Sequence, residues 1–90
     1  MLSMAIHKTH VLKDINPKAS FYIAKELAVI EVNIMWFPEK INDHVARLYS
    51  LSQHVLTTFK NNDDAKVLAV LIRNKALKIS STLENKEFNS

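Results

Sequence analysis

Ninety residues without a single glycine is the constraint that shapes everything else in this chain. At an average usage of about 7%, roughly six would be expected. Phosphate-cradling loops, dinucleotide fingerprints and nucleophile elbows need glycine for tight turns and close backbone approach, so those function classes are excluded. Primed hairpin turns also lean on glycine, which argues against an all-β fold. Turns must be made by other residues. The sequence offers Asn16-Pro17, Phe37-Pro38 and the run Lys60-Asn61-Asn62-Asp63-Asp64.

Between those breaks the apolar residues recur with a helical period. Asn16 is suited to capping free N–H groups and Pro17 to the first helical position, while Pro38 forces the residue before it out of the α region. This predicts a first helix over residues 17–36. Ile23, Leu27, Ile30 and Ile34 lie on one narrow face of it, and Phe21, Ala24, Ala28, Val32 and Met35 on roughly the opposite one. A second helix is expected over residues 42–60, with Ile41, Val45, Leu48, Ser52, Val55, Leu56 and Phe59 in one stripe. Ser52 stands in its centre, where its hydroxyl can bond a carbonyl one turn back. Asn61 is placed to take the left-handed conformation usually given to glycine, and Asn62 or Asp63 to cap a third helix over residues 63–83. Its core stripe reads Ala65, Leu68, Ala69, Ile72, Ala76, Ile79 and Leu83. Residues 1–16 show no clear period and read as a flexible N-terminal arm. Residues 84–90 read as a polar tail.

The expectation is therefore an all-α protein of three helices, one domain over residues 17–83. A chain of this size builds only a marginal core, and oligomerisation is a common remedy. Helix one is apolar on two faces, and Val67, Val70, Leu71 and Leu77 fall outside the stripe of helix three. Such surplus is resolved either by a compact bundle with helix one at its centre or by association. The favoured reading is a homodimer, packed or intertwined, through Phe21, Ala28, Val32, Met35 and Trp36, helped by Val70 and Leu77. Heptads are not sustained, so no long coiled coil is expected. Trp36 and Phe37 suit either the core, the commoner place for aromatics in so small a protein, or an interface anchor.

Candidate chemistry is sparse. Without cysteine there are no disulfides, no Cys-ligated zinc and no thiol catalysis. His7 and His10 lie in the arm with no third ligand nearby, and His44 and His54 sit about 15 Å apart along a helix, so no metal is expected. Ser50, Ser52 and His54 are close in sequence, but positions two apart on a helix do not face each other, and no enzyme activity is expected. Asp63-Asp64 lacks an EF-hand ligand series and reads as an acidic helix start. No cofactor is implied. The net charge of +3, from 12 basic and 9 acidic residues, permits an acidic partner without requiring one. Arg47, Lys66, Arg73, Lys75 and Lys78 are the candidate nucleic-acid contacts. They make no continuous stripe on a helical wheel, so a solvated face is the plainer reading. The N-terminus lacks the apolar core of a signal peptide, and the densest apolar stretch is too short and too charged to span a membrane, so a cytoplasmic protein is expected.

The order of features resembles a known family. Ile6-His7 in a short arm is followed by Lys18-Ala19-Ser20-Phe21-Tyr22 leading into an acidic–aliphatic helix. After the hinge at Ile41-Asn42 come an aliphatic helix and the run Ala69-Val70-Leu71-Ile72-Arg73 with Leu77 and Ile79. In these respects the chain resembles the YmgB/AriR-type biofilm and acid-resistance regulators of enteric bacteria, a group of two-component connector proteins. Members tend to have a glycine before the hinge, where this chain has Phe37-Pro38-Glu39-Lys40, and the break at Asn61 is longer here. The resemblance implies a bacterial, α-helical, homodimeric, non-enzymatic regulator of biofilm and stress responses. Such a protein binds another regulatory protein and in some readings DNA. A DNA-binding transcriptional regulator and a small chaperone or secretion-associated partner protein are the alternatives.

Overall fold

The computed structural model describes the backbone of residues 2–89 and the side chains of residues 2–81. Among them the chain is predominantly helical and contains no strand. It forms α1 (Ser3–Lys8), a 3-10 turn (Thr9–Leu12), α2 (Pro17–Trp36), a second 3-10 turn (Pro38–Lys40), α3 (Ile41–Thr58) and α4 (Asp63–Asn89).

The glycine-free turns work as their chemistry predicts. Asn16 is extended, and its side-chain oxygen accepts from the Ala19 amide at 3.1 Å, with Pro17 opening α2. Asn61 is left-handed at φ 61°, ending the α3 region. Asn62 then caps α4, accepting from the Ala65 amide at 2.9 Å, and Asp63 and Asp64 set negative charge in the first turn.

Two expectations are corrected. Residues 1–16 are not a loosely ordered arm over the part described. Leu2, Ala5, Thr9 and Leu12 are buried, spaced by three or four residues on one side of α1 and its 3-10 extension. The segment is pinned by polar bonds as well. Ser20 Oγ donates to the Thr9 carbonyl at 2.8 Å, and the Leu2 amide donates to Glu31 Oε1 at 2.9 Å. The described residues therefore form four α-helices rather than three. The last of them continues to Asn89 instead of stopping at residue 83, because nothing in its polar end breaks a helix. The expected core position Leu83 and the side chains of the expected polar tail lie outside the described residues.

Packing is diagonal. α3 packs on both α2 and α4, most extensively on α4, and α1 with its 3-10 turn also touches both. Among the described residues the backbones of α2 and α4 make no close contact with each other. The short α1 thus fills the corner opposite α3, and α2 and α4 occupy the other two. All four meet in one apolar cluster that includes Leu12, Ile23, Leu27, Ile30, Leu48, Val55, Leu68 and Ile72. The expected stripe of α2 is buried in full, and that of α4 is buried from Ala65 to Ala76. In α3 the stripe is broader than expected. His44 and Leu51 join the core, while Leu56 is exposed. A helix with neighbours on two sides buries a wider arc than a single stripe. The buried hydroxyl of Ser52 donates to the Tyr49 carbonyl at 2.7 Å, one turn back.

Candidate interaction surfaces

The outward face of α2 is apolar along most of its length. Phe21, Met35 and Trp36 are 72–74% exposed, and Ala28 and Val32 lie between them. Trp36 and Phe37 are both exposed, so neither belongs to the core. At 100° per residue and 1.5 Å rise, positions 21 to 36 make a stripe roughly 22 Å long. Lys18 and Lys25 are its polar members, and a lysine stem can lie along apolar surface with its ammonium in water. The acidic residues of α2 turn elsewhere. Glu26 Oε2 meets Arg47 Nη2 of α3 at 3.5 Å, and Glu31 receives the Leu2 amide of α1. That amide holds the Glu31 carboxyl below the usual carboxylate range.

A second apolar line runs along the outward side of α4. Val67, Val70 and Leu77 are all about half exposed, and Asn74 and Ser81 share their face. Lys66 and Arg73 lie along one edge of this line and Lys78 along the other, with half-buried Lys75 further round toward the core. From Ala65 to Ser81 the helix carries no acidic residue.

The seven residues expected at an interface therefore fall into two patches. Phe21, Ala28, Val32, Met35 and Trp36 share one face of α2, whereas Val70 and Leu77 lie on α4, at the diagonal corner. The expected nucleic-acid contacts are divided too. Arg47 projects from α3 into an open groove of about 410 Å³, shared with Tyr22, Glu26, Ser50 and His54, and is engaged by Glu26. Lys66, Arg73, Lys75 and Lys78 are on α4.

The histidines have local roles. His44 is buried, and its Nε2 donates to the Phe37 carbonyl at 2.9 Å, tying α3 to the end of α2. This role went unseen in the sequence, although His44 lies one turn N-terminal to the recognised core residue Leu48. The His54 ring stands edge-on to Tyr22 with centroids 5.3 Å apart, and His7 and His10 meet similarly at 5.7 Å. Among the described residues no three His, Cys, Asp or Glu side chains gather as a metal site would require. Ser50 and His54 line one groove, while Ser52 is buried away from it. No helix of the described residues is long and apolar enough to cross a membrane. Comparisons with protein-family models, curated proteins and solved structures give no match.

Proposed function

We propose that this protein is a non-enzymatic regulatory or connector protein that acts through protein–protein association and pairs with a second copy of itself through the outward face of α2. The observation that carries this reading is the exposure of Phe21, Val32, Met35 and Trp36 on one helix face whose acidic residues are drawn to α1 and α3. Contiguous apolar surface of this kind on a small protein marks an interaction site. Each large side chain gains about 1.5–3 kcal/mol when withdrawn from water, which several together turn into a substantial driving force. Ala28, small and central, lets a partner backbone come close. The resemblance to YmgB/AriR-type connectors supports the same reading and extends it to regulation of biofilm and acid resistance in bacteria.

Sedimentation of the full chain at high micromolar concentration tests the proposal. The expected result is a dimer mass, with Val32→Glu reverting to monomer while its helical signal stays intact. A monomeric wild type would overturn the proposal. So would a Val32→Glu variant unchanged in both mass and stability.

A further inference from the structure

We infer that the outward face of α4 is a docking seam for an amphipathic helix of another protein, apolar along its contact line and acidic along its edges. This rests on the reading of the protein as an association module, but on a different face from the one assigned to self-association. Three observations carry it. First, Val67, Val70, Asn74, Leu77 and Ser81 recur at alternating spacings of three and four residues, the register with which one helix packs lengthwise against another. The repeat covers two heptads, enough for a docked helix though too little for a long coiled coil. Second, the exposed apolar side chains at 67, 70 and 77 face away from the core that the same helix builds with Leu68, Ile72 and Ala76. Third, both edges of the line carry cations, Lys66 and Arg73 on one and Lys78 on the other, with no acid between Ala65 and Ser81.

Charge decides the occupant. A second α4 would set Lys66 and Arg73 against their own kind if antiparallel, and Arg73 against Lys78 if parallel, because edge positions face edge positions in paired helices. The outward face of α2 carries Lys18 and Lys25 and no outward acid, so it cannot supply the complement either. A foreign helix with Glu or Asp along that edge meets Lys66 and Arg73 with opposite charge. Duplex DNA fits less well, since a line of valine and leucine divides the cations where phosphates would need them continuous. Asn74, in mid-seam, favours a partner with a polar side chain facing it, which fixes register.

The test uses the full-length chain and two synthetic 21-residue helices. Both have leucines and one Asn along the contact line. One has Glu at its edges and the other Lys. The Glu-edged helix is expected to bind at least about tenfold more tightly, as two or more rim charge pairs turn from repulsive to attractive. The double variant Lys66→Glu/Arg73→Glu should reverse that preference, and Val70→Asp should abolish binding. The Val32→Glu variant should bind like wild type, which separates this seam from self-association. Equal binding of the two helices, binding by neither, or binding that survives Val70→Asp would overturn the inference. So would duplex DNA that displaces the Glu-edged helix and is itself released by the double charge reversal.

Discussion

At φ 61° Asn61 holds a conformation that costs most side chains about 1–2 kcal/mol, and Asn meets it with a short polar group able to bond locally. Asn61→Gly is expected to leave stability unchanged or raise it slightly, whereas Asn61→Val should lose about 1–2 kcal/mol in urea denaturation. Such turn chemistry was legible because capping is decided within three residues, as it is at Asn16 and Asn62. His44 was not legible, because its partner is a carbonyl seven residues away across a proline turn. Glu31 illustrates the same limit, its partner lying 29 residues away in sequence. The folded state holds its carboxyl below 4.5, so the contact is fully present above that pH and is lost as the pH falls through the lowered value. Glu31→Gln should therefore be less stable than wild type at neutral pH, and the gap should close on acidification. A gap that stays constant with pH would contradict this account.

Among the elements, the long helices were readable and the short one was not. α2 and α4 bury one clean stripe each over several turns, and that repetition is what a sequence displays. α1 has under two turns, and the buried residues Leu2, Ala5, Thr9 and Leu12 that it shares with its N-cap and its 3-10 extension are interleaved with apolar Met4, Ile6 and Val11 that blur the period. Its importance can be measured. Leu12→Ala should cost about 2–5 kcal/mol, as for other fully buried leucines, while Val11→Ala, at an exposed neighbour, should stay within about 0.5 kcal/mol. A loosely held arm would give small losses at both positions. α3 was half legible. Leu48, Val55 and Phe59 were found, but the second flank marked by Leu51 exists only because α2 and α4 embrace the helix from two sides.

For the molecule as a whole, the sequence carried the surplus of apolar surface but not its distribution. Helical wheels place each side chain around its own axis. They do not say that α2 and α4 stand at diagonal corners, so residues whose wheels suggest one interface belong to two sides of the molecule. That separation has a consequence for valency. A face occupied on α2 leaves the face on α4 open. Two copies joined through α2 would present two α4 seams held at a fixed spacing. A partner offering two acidic helices on a linker of matching span would then bind through effective concentration, without any new contact. An assembly of that kind responds to protein abundance in two steps. Pairing would set how many seams are yoked together, and only yoked seams would retain a bivalent partner at low concentration.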